Sequence, residues 1–161
     1  LPDENRLGPE GAGANIFADS MEWERSSILA SHIGAMERQL ETSIQYAQER
    51  EQYGQSIGKF QSVANRIVDM KLRLETARML LYKVAWLKKN GKNAVMEAAM
   101  AKLYISESFV QSGLDAIKTH GGYGYMTEFE VERDLRDAIG GTLYSGTSDI
   151  QRNIIARLLG L

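Results

Sequence analysis

The sequence predicts an all-α protein: an up-down four-helix bundle with additional short C-terminal helices. Three observations carry this. The chain of 161 residues has two prolines, Pro2 and Pro9, so nothing beyond the first dozen residues bars a helix. Three long stretches repeat their apolar residues every three to four positions. Glycine pairs and Asn-Gly steps punctuate those stretches where bundle connections belong. At 43% hydrophobic and 25% charged residues, the length suits one domain with its own core.

The elements follow in order. Residues 1–13 are polar and rich in Gly and Pro, which predicts a linker without the layout of a signal peptide. From Asn15 to Arg50 the stripe Phe17, Met21, Ile28, Leu29, Ile33, Met36, Leu40, Ile44 and Ala47 predicts one long amphipathic helix. Residues 52–58 break it. A second stripe runs from Val63 to Leu87 and stops at Asn90-Gly91, a helix C-terminal signal. A third, alanine-rich helix spans Ala94 to Lys118 and ends before Gly121-Gly122. Residues 121–125 read as a flexible loop, Glu128 to Ala138 as a shorter helix and Gly140-Gly141 as a second break. Ser148-x-x-Gln151 resembles a capping box before a last helix over Ile150–Leu159. The methionines Met70, Met79, Met96 and Met100 and both tryptophans, Trp23 and Trp86, fall within helical periods and are expected in the core.

Composition excludes several function classes. The net charge of -2, from 19 basic and 21 acidic residues, gives no excess for a nucleic-acid partner. No run approaches the ~18 apolar residues of a membrane span, so a cytoplasmic location, or the mitochondrial matrix in a eukaryote, is expected. Zero cysteines and two histidines give no thiol nucleophile and no expectation of a metal site. Glu22 and Glu24 lie two apart on a helix and face different sides, so they are not an acid/base pair. Gly121 to Gly124 is compatible with backbone amides approaching a phosphate or ring, and equally with a glycine C-cap and hinge. Gly146 to Asp149 reads as a helix start, which also offers amides to an anion or a developing oxyanion.

Three segments in this order are more specific than any one of them. They are Gln48-Glu49-Arg50-Glu51-Gln52-Tyr53-Gly54 with Phe60-Gln61, then His120-Gly121-Gly122-Tyr123-Gly124-Tyr125 with Arg136-Asp137-Ala138, and last Tyr144-Ser145-Gly146-Thr147-Ser148-Asp149-Ile150-Gln151-Arg152. Together they resemble the C-terminal helical domain of the acyl-CoA dehydrogenase family, over residues 14–161, with 1–13 resembling the exit from that family's middle β-domain. The resemblance implies FAD as cofactor, bound across a subunit interface in a homo-oligomer, a dimer or tetramer. It implies that Arg50, Gln52 and Tyr53 contact the FAD of a neighbouring subunit, the arginine facing the pyrophosphate. It also implies that Phe60 and Gln61 lie on the flavin side and that Gly121 and Gly122 admit the adenylate half. Lys118 stands where many members have glutamine, and Thr147, Asp149 and Gln151 match a flavin-side segment.

The reaction implied is α,β-dehydrogenation of an acyl thioester, on CoA or an acyl carrier protein, with electrons passed to an electron-transferring flavoprotein. A carboxylate takes the α-proton, and the β-hydrogen leaves as hydride to flavin N5. The Ser145 backbone amide is expected to polarise the thioester carbonyl. Many members carry the base as glutamate at the position of Ser145, whose hydroxyl is too weak to replace it. A minority place it on the first helix before an arginine, and Glu24-Arg25 matches that arrangement. Glu24 is therefore the expected base, with Arg25 near the substrate's pantetheine or phosphate end and Tyr144 beside the acyl pocket. The alternatives are a flavin oxidase or monooxygenase of the same fold and a catalytically silent helical assembly fragment. The isolated domain is expected to be inactive.

Overall fold

The computed structural model describes residues 2–161. Leu1, the first residue of the expected linker, lies outside the described residues. Residues 2–11 are exposed and contain one 3-10 turn, Asp3–Asn5. The helices are α1 (Gly13–Ser27), α2 (Leu29–Glu49), α3 (Gln61–Lys89), α4 (Val95–His120), α5 (Gly122–Tyr125), α6 (Val131–Gly141) and α7 (Ser148–Leu158). The chain folds as an all-α bundle, as the sequence predicts.

Helix α4 is the axis against which α1, α2, α3, α6 and α7 all pack. Its small buried residues Ala98, Ala101, Ser106, Ser112, Gly113 and Ala116 let neighbours approach closely. A Cβ on Gly113 would stand 3.2 Å from Leu135 Cα of α6. The core is closed by Leu29, Ile33, Met36 and Leu40 of α2, Met70, Leu74 and Val84 of α3, and Ile105 and Phe109 of α4. The α3–α4 turn is a Schellman cap, with Gly91 N–H donating to Lys88 O at 3.0 Å and Lys92 N–H to Leu87 O at 2.9 Å.

Six local expectations are corrected. The stretch from Asn15 to Arg50 is two helices, which part at Ile28. The hydroxyls of Ser26 and Ser27 take the carbonyls of Glu22 and Trp23, and such side-chain bonding bends a helix without glycine or proline. The break at residues 52–58 holds a two-stranded hairpin, β1 (Glu51–Gln52) and β2 (Gln55–Ser56), paired Glu51 to Ser56 and Gln52 to Gln55. Its two-residue turn puts Tyr53 (φ 52°) and Gly54 (φ 76°) in the left-handed region, as the twist of such a hairpin requires.

The expected loop after α4 contains the single turn α5. The next helix starts at Val131, after a 3-10 turn over Thr127–Phe129, and its last turn includes Gly140 and Gly141. The expected capping box is replaced by Thr147, whose Oγ1 accepts from Ile150 N at 3.3 Å.

Finally, of the residues expected in the core, Met70 is buried and Met96 half-buried, but Trp23, Met79, Trp86 and Met100 are exposed. Helix α3 carries a second apolar face: Val68, Leu72, Met79, Tyr82 and Trp86 are each more than half exposed. The single sequence period could not separate a face turned inward from one turned outward.

Candidate active site

The predicted site residues gather in two places. The first is a groove of about 550 Å³ between the end of α2, the end of α4 and α5, lined in part by Arg50, Gln52, Lys118, Gly121 and Gly122. Its floor is Tyr46 stacked on His120, ring centroids 4.3 Å apart. Two cations and no carboxylate line it, a donor set suited to a diphosphate. A Cβ on Gly121 or Gly122 would meet no atom of the chain within 4 Å. The space above both is open, and at Gly121 the backbone itself favours glycine, with φ at 62°. Arg50 also lies 5.9 Å from the Tyr123 ring centre. Tyr53 stands at the hairpin tip, 94% exposed, with its ring edge towards Phe60 at 6.1 Å. Gln61 opens α3 beside them.

The second place is the loop Thr142–Thr147 between α6 and α7, facing the end of α1. Ser145 Oγ donates to Glu24 Oε1 at 2.7 Å. The two positions expected to alternate as base, 121 residues apart, are thus in direct contact. Glu22 goes elsewhere, to Lys88 Nζ at 2.7 Å, as the different-face reading requires.

The loop is built with its carbonyls turned inward. Ser145 O accepts from Arg25 Nε at 3.3 Å and from Gln151 Nε2 at 3.2 Å, and Gly146 O from Gln151 Nε2 at 2.9 Å. Gly141 O accepts from Lys102 Nζ at 2.7 Å. Among the described residues the amides of Ser145, Gly146 and Thr147 donate to no partner. Free amides are the donors an oxyanion-stabilising site needs, and the Glu24 carboxylate stands beside them. Ser145 (φ 56°) and Gly146 (φ 86°) both hold left-handed backbone here, and a Cβ on Gly146 would sit 2.7 Å from Gln151 Nε2. Local strain of this kind costs about 1–3 kcal/mol for a non-glycine residue and collects at functional sites.

Five of the expected site residues also make contacts within the chain or stand at its surface. Gln151 is fully buried and binds loop carbonyls, so it supports the loop from within. Arg25 directs its Nε to Ser145 O and so ties α1 to the loop. Thr147 spends its hydroxyl on the α7 cap, while Asp149 is exposed beside Arg152 at 3.2 Å. Tyr144 is 39% exposed, and its hydroxyl bonds His32 Nε2.

Two residues escaped the sequence reading. Lys102 has no exposed surface, yet Ala98, Lys102, Ile105 and Phe109 keep one 4-3-4 spacing, so its place on the core stripe was readable. His32 lies under the loop, between Phe109 and Gly141. A Cβ on Gly141 would come within 2.8 Å of its Cε1. Burial, and then the charge of Lys102, hold the His32 imidazole below its ordinary 6.5.

Below pH 6.5 the unfolded chain therefore binds the proton that the folded His32 refuses, so this group's contribution makes stability fall as pH drops from about 6.5 through the folded value. Thermal unfolding of the full-length protein at pH 7.5, 6.5 and 5.5 should show a steeper acid loss for wild type than for His32→Gln. Parallel losses would contradict the assignment.

The profile of the family described as "Acyl-CoA dehydrogenase, C-terminal domain" matches residues 11–160. The chain belongs to the acyl-CoA dehydrogenase family. It is 51% identical, over all of its length and 42% of the relative's, to the L-prolyl-[peptidyl-carrier protein] dehydrogenase of Serratia sp.. The solved prolyl acyl carrier protein oxidase AnaB is 61% identical with a TM-score of 0.98, over all of this chain and 43% of that one. PigA with FAD and proline is 50% identical with a TM-score of 0.98, over all of this chain and 42% of that one. The family domain therefore spans less than half the length of these relatives. Among the described residues no cluster of His, Asp and Glu could hold a metal ion, and no helix is long and apolar enough to cross a membrane.

Proposed function

We propose that this chain is the C-terminal part of an FAD-dependent enzyme that dehydrogenates a cyclic α-aminoacyl thioester, of the prolyl type, carried on an acyl or peptidyl carrier protein. The observation that carries the reading is the 2.7 Å hydrogen bond from Ser145 to Glu24. It supports the reading that a carboxylate from the first helix acts where the family's usual loop glutamate would. The carrier-bound prolyl substrate is suggested by the relatives that are 51% and 61% identical.

In this reading Glu24 takes the α-proton with Oε2, the oxygen that makes no hydrogen bond or ion pair among the described residues. The Ser145 amide receives the thioester oxygen as negative charge develops there, and Arg25 and Gln151 hold that amide's loop in place. FAD, when bound, supplies the acceptor for the β-hydride. Glu24 is exposed on this chain, so the apolar cover a carboxylate base needs comes from outside these residues.

The anionic part of FAD fits the groove of Arg50 and Lys118. Lys118 and Lys102, which mark the groove and the loop, are sixteen positions apart on α4, about 24 Å. That separation supports a dinucleotide shared between copies, its flavin at one subunit's loop and its diphosphate in another's groove. The outward stripe of α3, from Val68 to Trp86, supports self-association into a dimer or tetramer. Residues 1–13 are read as the link from a preceding β-domain, and a cytoplasmic or matrix location accompanies the reading.

The test is anaerobic mixing of the full-length flavoprotein with a prolyl thioester on its carrier protein. Flavin bleaching is expected with it and not with a straight-chain acyl-CoA; the reverse preference would contradict the substrate class. Electrons pass to an electron-transferring flavoprotein or to oxygen. The oxidase reading is favoured by the 61% identity to AnaB, and oxygen consumption without added acceptor decides between the two.

A further inference from the structure

We propose that the Ser145 hydroxyl is a specificity-determining contact, which accepts a hydrogen bond from the N–H of an amine on the substrate's α-carbon. This rests on the aminoacyl-thioester reading above and deepens it.

A hydroxyl has one proton and two lone pairs. Ser145 spends the proton on Glu24 Oε1 and accepts from no group among the described residues. Its oxygen is also fixed in place. The backbone of Ser145 is pinned in left-handed geometry by Arg25 and Gln151, and the residue is only 8% exposed. The window it keeps lies beside exposed Glu24.

The position of the base then locates the substrate. For Glu24 Oε2 to take the α-hydrogen, the α-carbon must approach within about one hydrogen-bond length of that carboxylate. In an α-aminoacyl thioester the nitrogen is bonded to this same carbon, so its N–H arrives beside the oxygen that Oε1 already holds. In an alkanoyl or carbocyclic thioester a CH₂ takes that place and offers no donor. A lone pair left facing it would be unpaired, which is costly in a closed site. Simple replacement of the family's glutamate needed no polar atom here. Alanine or glycine would have vacated the same space.

The experiment compares full-length wild-type and Ser145→Ala flavoproteins on two thioesters of the same carrier protein, prolyl and cyclopentanecarbonyl. The readout is the ratio of their kcat/KM values. Both rates fall in the variant, because Glu24 loses its orienting partner, but the prolyl:carbocyclic ratio should fall about tenfold or more, the effect of one lost hydrogen bond to a desolvated N–H. Ser145→Gly, which also removes the left-handed strain, should give the same fall and serves if the alanine variant fails to fold. Equal losses on both substrates, or an unchanged ratio, would overturn the proposal and leave Ser145 as a positioning residue for Glu24 alone. If wild type itself shows no preference for prolyl, the substrate reading fails and this inference with it.

Discussion

Full-length protein carrying Glu24→Gln should keep its flavin and lose on the order of 10³-fold in turnover. General-base catalysis contributes about 10²–10⁴-fold, and Ser145, the nearest side chain, has no basic form at neutral pH. Glutamine is close to isosteric, and its amide oxygen can still accept from Ser145 Oγ. The loop, with its carbonyls on Arg25, Gln151 and Lys102, should therefore hold its shape. The groove proposed for the FAD diphosphate is at the far end of α4 and shares no residue with Glu24. Steady-state turnover beside flavin content checks this. Loss of flavin together with activity would make Glu24 a structural residue.

Lys102→Ala should destabilise the protein by about 3–5 kcal/mol, the range for a large buried side chain cut to alanine. It empties a fully buried site and leaves Gly141 O without its donor. Lys102→Met refills the volume and removes the cost of burying a charge, so only the carbonyl stays unpaired. That variant should lie within about 2 kcal/mol of wild type. Burial first lowers the folded Lys102 pKa from its ordinary 10.5. The unfolded chain then binds more protons between the folded value and 10.5, and this group's contribution to stability rises with pH across that window. Denaturant unfolding of the three proteins tests the ordering, and an alanine variant as stable as methionine would contradict it.

The helical stripes, the glycine punctuation and the cap at Asn90-Gly91 were legible because they are local and periodic. The break at Ile28 was not, since it is made by two serine hydroxyls rather than by a helix breaker. Lys102 follows the core spacing, but its charge argued for solvent, and only the fold shows the Gly141 carbonyl that satisfies it. The groove residues Arg50, Gln52, Lys118, Gly121 and Gly122 were reached through motif resemblance, and the fold brings those five together. The burial of Gln151 was not legible for a physical reason: a polar residue one turn into a helix reads as surface, whereas here the loop's inward carbonyls draw it inside. The meeting of Glu24 with Ser145 joins positions 121 residues apart, so no local pattern could have shown it.

In the proposed mechanism the carboxylate has moved from the loop to the first helix while acting at the same point. The measurement that tests it most directly is anaerobic flavin bleaching by the prolyl thioester in three full-length proteins: wild type, Glu24→Gln, and Glu24→Gln with Ser145→Glu. Bleaching is expected in the first, none in the second and partial recovery in the third. Bleaching of Glu24→Gln at the wild-type rate would contradict it.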